Sequence, residues 1–430
     1  MKNRLVVALL IILTPGLYAQ EKKLSLDELV KLALERNPKI KSAAQMVESE
    51  RFRISPEGAL PDPVLSFGIT NMTLTQWSVG SDPTSGVGVS VAQAFPFPGK
   101  LKLKSEIAGQ REQRAEESLR GERLTVARRV KELYSRMYYF GRAHDLLLEK
   151  KGILENALRT AESKYTVGQG VQSDIIKAGV EISSLEEMIN AMDTMGRSTK
   201  AALNGVLDYP SETSWETPAE IPFTAFPLEL KQVLEEAAKN SPQLRSAGIM
   251  IQEGSLEVDM AKREYYPNFM VQIGKEFRGA LPDMYEVMVG VEIPVFYKRK
   301  QARLVEESVS RLSGTKLDLT TMKNDLAAML SESFLEAKNA ERNMQLYKEK
   351  IIPQTALSLE SSLGNYQVNK VDFLAVLSDI NAVVSARMEY IKNQADLWAA
   401  TARIEELTDL EILKTVGSPG QGGPRADNQD

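Results

Sequence analysis

The chain has 430 residues, a formal charge of −5, no cysteine and a single histidine, His144. The missing cysteines exclude a disulfide scaffold, a thiolate metal site, a cysteine nucleophile and a lipid-anchored N-terminal cysteine. One histidine leaves little for imidazole metal sites or a His-dependent hydrolase, and the mild acidity gives no basic footprint for nucleic acid.

Residues 1–19 have the layout of a secretory signal peptide. Lys2 and Arg4 precede an apolar run from Leu5 to Leu13, and small or turn residues lead to Ala19. The run is too short to span a bilayer, which takes ~20 apolar residues. The mature chain is expected outside the cytoplasm, beginning near Gln20, with Leu17 leaving the cut open by a few residues. At the other end, residues 412–430 are rich in Gly, Pro and polar side chains and read as a disordered tail.

A helix is predicted over about 25–55, interrupted near its start by Asn37-Pro38. Two short alternating segments follow. Leu65, Phe67 and Ile69 share one face and Val64, Ser66, Gly68 and Thr70 the other; Val87, Val89 and Val91 alternate with Gly88, Ser90 and Ala92. This period of two marks strands with one apolar face and one polar or small face, near the ~9–11 residues of a tilted membrane strand. No later stretch is apolar enough for a membrane helix, so any insertion must use strands. "FPFPGK" at 95–100 then ends the strand pattern. Prolines there stop ladder pairing, and Gly99 permits a tight bend.

A long helix is predicted from about 99 to 166, ~100 Å at 1.5 Å per residue. Val126, Val130, Leu133, Met137, Phe140, His144, Leu147, Lys151, Leu154, Leu158, Ala161 and Tyr165 step by four and three, the coiled-coil period. A return helix is predicted over about 171–208.

The second half repeats these parts. Pro38 and Pro242, Pro63 and Pro267, Pro96 and Pro294, Tyr165 and Tyr366, and Asp174 and Asp372 lie 204, 204, 198, 201 and 198 apart. The chain therefore reads as two copies of one unit, 20–208 and 228–411, joined by a linker at 209–227. The second copy gives a helix over about 228–263 interrupted at Ser241-Pro242. Its strands hold Phe269, Val271 and Ile273, then Val287, Val289, Val291 and Ile293. Its seam runs Leu326, Leu330, Ser333, Ala337, Ala340, Met344, Tyr347 and Ile351. Pro353 should kink or interrupt that helix, and a last helix covers about 371–411.

A helix of such length must bury its apolar stripe against other long helices. Four strands cannot close a barrel, and an open sheet in lipid leaves edge hydrogen bonds unmade. Both considerations call for an oligomer.

The repeated unit, the "FPFPGK" corner and "KYTVGQGVQSDIIKA" at 164–178 resemble the TolC-like outer-membrane efflux protein family, most closely its metal-resistance type. The resemblance implies a mixed, mostly α fold: a homotrimer whose twelve strands form one outer-membrane β-barrel, continued by an α-helical periplasmic barrel. It implies a passive exit duct for a tripartite efflux system, with a periplasmic adaptor protein, an inner-membrane efflux transporter and outer-membrane lipid as partners. Pro96, Pro98, Gly99 and Pro294 would make the strand-to-helix corners. The helix–helix turns would be periplasmic tips that meet the adaptor, through Tyr165, Val167, Gly168 and Asp174 in the first and Tyr366, Val368 and Asn369 in the second. The alternative for these residues is that they only build the turns. Asp174 could cap the return helix. The second tip reads as shorter, since Tyr366 to Asp372 spans six positions where Tyr165 to Asp174 spans nine, and Asn369 stands for the usual glycine. Asp372 is placed at a lumen gate, with an N-cap as its alternative; Asp379 could form a deeper ring or face a neighbouring helix.

No enzyme constellation is present, and no cofactor, metal site or nucleic-acid partner is expected. His144 reads as a helix–helix contact and Met188, Met192 and Met195 as core filling. "VGQG" lacks the Lys-Ser/Thr ending of a phosphate loop. An exit duct for protein secretion and a periplasmic coiled-coil scaffold remain as other readings.

Overall fold

A computed structural model describes residues 25–71, 84–218 and 226–413. The expected signal peptide, residues 1–19, and all but the first two residues of the expected tail lie outside them.

Ser25 opens the first helix with a reciprocal cap. Its hydroxyl accepts from the Glu28 N–H at 3.3 Å, and Glu28 Oε2 accepts from the Ser25 N–H at 2.7 Å. That helix, α1 (Leu26–Arg36), stops at Asn37, whose Oδ1 accepts from Lys39 N–H at 2.9 Å and starts α2 (Pro38–Gly58). The interrupted helix is thus two helices, as is its counterpart: α5 (Leu230–Asn240) and α6 (Pro242–Arg263). Proline is tolerated at each second start because the first helical N–H needs no partner.

Four strands form one antiparallel sheet in chain order: β1 (Val64–Thr70), β2 (Gly86–Phe95), β3 (Asn268–Phe277) and β4 (Met284–Glu292). The middle pairing joins the two halves of the chain, with Val91 opposite Ile273 and Phe95 opposite Phe269. Register puts Leu65, Val91, Ile273 and Val287 in one apolar rung, and Ser66, Ser90, Gly274 and Glu286 in a polar rung on the other face. Phe67, Ile273, Val287 and Val289 are exposed on the apolar face. β1 and β4 are open edges.

The long helix is α3 (Lys100–Thr166), 67 residues, and α4 (Gln172–Leu207) returns beside it. In the second half α7 (Gln301–Leu346) passes into a π-helical turn, Tyr347–Ile351, then α8 (Ile352–Gln367), and α9 (Phe373–Thr408) returns. Pro353 has no N–H for the carbonyl four residues back, and the wider turn just before it absorbs the break. No described helix is long and apolar enough to cross a membrane.

The seam of α7 follows the predicted positions: Leu326, Leu330, Ser333, Ala337, Ala340 and Met344 are all buried. It ends where the π turn shifts its phase, leaving Tyr347 and Ile351 half-buried. The seam of α3 is buried at every position from Val126 to Met137 and again at Leu147, Leu154 and Ala161; between them Phe140, His144, Lys151 and Leu158 are half-buried and Tyr165 is exposed, while Lys150, Ala157 and Lys164 are buried beside the predicted line. A single period assumes a single neighbour, whereas α3 packs on both α4 and α9.

The described part of the expected linker is folded onto the helices. Trp215 is buried with its Nε1–H donating to Asn204 Oδ1, and Asn204 Nδ2 donates to the carbonyls of Ser211 and Thr213, both at 2.9 Å. Leu413, inside the expected tail, is also buried, its N–H and that of Ile412 donating to Glu405 Oε1 at 2.6 Å.

Candidate functional site

The strand-to-helix corner is held by its own residues. Pro96 follows the last residue of β2, and Gly99 sits at φ 93°, a left-handed conformation that disfavours any side chain. A Cβ there would also meet the Arg263 guanidinium at 3.2 Å, whose Nη1 donates to Pro98 O at 3.1 Å. Lys100 is buried, and its Nζ donates to Glu264 Oε2 (3.1 Å), Tyr266 O (3.3 Å) and Asn268 Oδ1 (2.9 Å). Phe97 stacks on Tyr266 at 4.4 Å. One ammonium thus ties the start of α3 to the end of α6 and the start of β3. The second corner is longer: Pro294 lies seven residues before Gln301, where Pro96 lies four before Lys100.

The two helix–helix turns have the same backbone. At the first, Gly168 (φ 72°) follows the end of α3; Gly168 N–H donates to Tyr165 O at 3.0 Å and Gln169 N–H to Lys164 O at 2.8 Å. At the second, Asn369 (φ 59°) follows α8, with Asn369 N–H to Tyr366 O at 3.2 Å and Lys370 N–H to Asn365 O at 2.8 Å. Both are glycine-type helix endings, and asparagine is the other residue that tolerates the left-handed position.

The expected loop lengths need correction. The return helices begin at equivalent places, with Val171 the N-cap of α4 and Asp372 the N-cap of α9. Asp372 Oδ1 accepts from Ala375 N–H at 2.9 Å, whereas Val171 offers no side-chain cap. The turns are equally long. Asp372 matches Val171, and Asp174, which does not cap, stands in the first turn of α4. A carboxylate serves there by complementing the helix dipole instead.

Val167, Val368 and Tyr165 are exposed, while Tyr366 is buried and so is not a surface contact. It packs on Phe373 under the Lys164 ammonium, 4.2 Å from the ring centroid. Lys164 Nζ also donates to Tyr366 O and, at 2.6 Å, to Asn369 Oδ1, so the first tip grips the second. Burial, then the nearby Asp174 charge, pushes the Tyr366 phenol above its ordinary range. Lys164 and Lys100 were not singled out in the sequence; "PGK" and "KYTVGQG" contain them, but a lysine carries no sign of burial.

His144 is half-buried in a small cleft between α3 and α4, with Met137 and Met192. Met188 and Met195 are exposed on α4, so of the three only Met192 fills a core. Asp379 accepts from Ser358 Oγ at 3.1 Å and from Ser362 Oγ, so it faces α8.

Residues 29–203 match the family model "Outer membrane efflux protein". The cobalt-zinc-cadmium resistance protein CzcC of Cupriavidus metallidurans is 20% identical over 391 residues, covering 89% of this chain and 90% of its own. The crystal structure of CusC superposes with a TM-score of 0.75 at 15% identity, over 89% of this chain and 91% of that one. The outer membrane protein VceC of Vibrio cholerae gives 0.76 at 13% identity, over 89% and 95%. The chain thus resembles the TolC-like outer membrane efflux proteins of metal-resistance type, carrying their sequence signature over residues 29–203 and the fold of their solved members over 89% of its length.

Proposed function

We propose that the protein is a passive, trimeric exit duct in the outer membrane, receiving substrates from an inner-membrane transporter through a periplasmic adaptor. The observation that carries this reading is the sheet. Its apolar face is exposed, its other face is mainly polar or small with Val64, Met270, Met284 and Met288 among them, and both edge strands are open. Unmade edge hydrogen bonds in lipid cost several kcal/mol each, so the edges must pair with other copies. Three copies give twelve strands and, with four long helical arms per chain, a twelve-helix tunnel. The duct supplies a path and no chemistry; energy comes from the transporter. The likeness to a cobalt-zinc-cadmium resistance protein makes divalent metal cations the first substrates to try.

The tips are the adaptor-docking ends in this reading, through Tyr165, Val167, Gly168, Val368 and Asn369, with Asp174 in the turn beside them. Three copies of Asp372 around the axis would form the entrance ring, which favours cations. Capping α9 and lining a constriction are compatible, because the cap uses one carboxylate oxygen.

Solubilised in mild detergent, the mature protein should run as a trimer by light scattering. A monodisperse monomer overturns the shared barrel, since four strands cannot close alone.

A further inference from the structure

His144 is the chain's only histidine, and the duct gives it no task. Its surroundings follow from the register of α3 and α4. A Cβ built on Gly196 would stand 3.9 Å from Phe140 Cβ, and Lys151 Nζ meets Glu186 at 2.7 Å, so the helices run antiparallel with these pairs level. One turn from the first pair, on the same faces, His144 comes opposite Met192. Both line one cleft of about 150 Å³, roofed by Thr217 of the folded linker, and Gly141 has no Cβ to hold that segment off. Met188 and Met195, one turn to either side of Met192, continue the row and are 38% and 47% exposed.

The imidazole is reachable, with its side chain 35% exposed, and neither ring nitrogen makes a hydrogen bond among the described residues; Asp145 Oδ1, 3.8 Å from Nδ1, is out of hydrogen-bond range. The cleft thus offers a nitrogen and a thioether sulfur, both neutral. The carboxylate that lines it is already engaged: Asp193 takes Arg197 through both oxygens, Oδ1 from Nε at 3.2 Å and Oδ2 from Nη2 at 2.6 Å. Arg197 and Lys200 line the cleft too, and their repulsion grows with the charge of an incoming ion. Hard dications look for oxygen ligands, which this cleft withholds. Thioether and imidazole donors suit copper(I) and its heavier congener silver(I). Methionine's flexible chain lets Met188 or Met195 turn inward to add a further sulfur.

We propose that the cleft between α3 and α4 binds a soft monovalent metal cation of the copper(I) and silver(I) class. A ring nitrogen of His144 and the sulfur of Met192 hold the ion, and Met188 or Met195 closes the coordination. Met137 also lines the cleft, but it is buried and two turns from His144 along α3, so it forms a wall and is not a ligand. The site is built within one chain, and it depends neither on the reading of the sheet nor on the number of copies. Its selectivity is of another kind from that of a carboxylate ring, which ranks cations by charge; this cleft ranks them by softness.

The test uses the full mature protein in detergent and chloride-free buffer, without a histidine tag, titrated with silver(I) and separately with zinc(II). Because the chain has one histidine, isotope-labelled histidine gives ring signals that report His144 alone by nuclear magnetic resonance. In wild type those signals should move with silver(I) and be complete at one ion per chain, while zinc(II) at the same concentrations leaves them in place. Met192→Leu, which keeps the volume, should weaken silver(I) binding at His144 about tenfold or more, since even partners outside a ligand set cost that much at metal sites. Met250→Leu, on α6, should change nothing. Silver(I) that binds without moving the His144 signals overturns the site, as does a titration unchanged in Met192→Leu. Zinc(II) that moves them as strongly as silver(I) overturns the thioether ligand and the preference for soft ions. The wild-type titrations decide by themselves, so a variant that fails to fold leaves the test intact.

Discussion

Gly168 and Asn369 hold the same left-handed position in the two tips, and the difference between them is testable. A Cβ built on Gly168 meets nothing within 4 Å, so the turn excludes side chains by backbone conformation rather than by crowding. Gly168→Asn should therefore fold and dock normally, costing no more than ~1 kcal/mol. Gly168→Trp should fold and reach the membrane yet block pump-dependent resistance, because its indole would project outward where the proposed adaptor docks. Resistance that survives at normal protein levels would remove this tip from the docking surface. Asp372 and Val171 form a second natural comparison. Asp372→Ala should lower stability by about 1 kcal/mol and Val171→Asp should raise it by a similar amount, read as shifts in the unfolding midpoint. If Asp372 also rings the entrance, Asp372→Ala lowers cation selectivity in planar bilayers as well; unchanged selectivity with the same loss of stability leaves only the cap. Gly99, Gly168 and Asn369 were legible from the sequence, since few residue types accept positive φ; Asn71, Asp208, Gly279 and Asp409, which share that conformation, carried no signal there. The Asp174–Asp372 pairing was misleading because a carboxylate suits both an N-cap and the first turn, three positions apart.

Among the elements, the strands and the α7 seam were legible because one face of each meets one kind of surroundings. The α3 seam was legible only in part past Met137, where Leu147, Leu154 and Ala161 are buried but Lys150, Ala157 and Lys164 are buried beside them, because helices on two sides share its buried side chains. Exposed Met188 and Met195 belong to the same lesson: spacing shows that side chains share a face, not whether a neighbour in the same chain covers it. On α9, Asp396 is exposed, but desolvation beside the packed helices lifts its carboxyl above the usual range; Lys392 opposes this, and Glu336 and Glu389 add to it. A carboxyl whose folded pKa is raised contributes its stability below the unfolded value and loses it as pH rises through the folded one. Asp396→Asn should accordingly raise the unfolding midpoint at pH 7, and the gain should vanish as pH falls below the ordinary carboxylate range. A gain that persists at low pH would mean that packing, not charge, sets the effect.

Across the molecule, sequence periods gave the order of elements, but the contacts that bind distant parts were out of their reach. Lys100 joining three elements, Lys164 joining two tips, and Glu405 fixing Leu413 all depend on side chains far apart in sequence. The central pairing of β2 with β3 has a further consequence, for how the chain comes to be folded. Val87 lies opposite Phe277, about 190 residues later, and closing so long a loop must precede any return from the contacts it makes. A chain emerging N-terminus first carries the β1–β2 hairpin, with its apolar face bare, through the synthesis of two long helices before its partner exists. Such a hairpin is marginal alone and prone to aggregate. In the proposed duct the sheet therefore sets the timing of biogenesis: nascent chains would need protection in transit, and membrane entry would wait on the second half of the polypeptide.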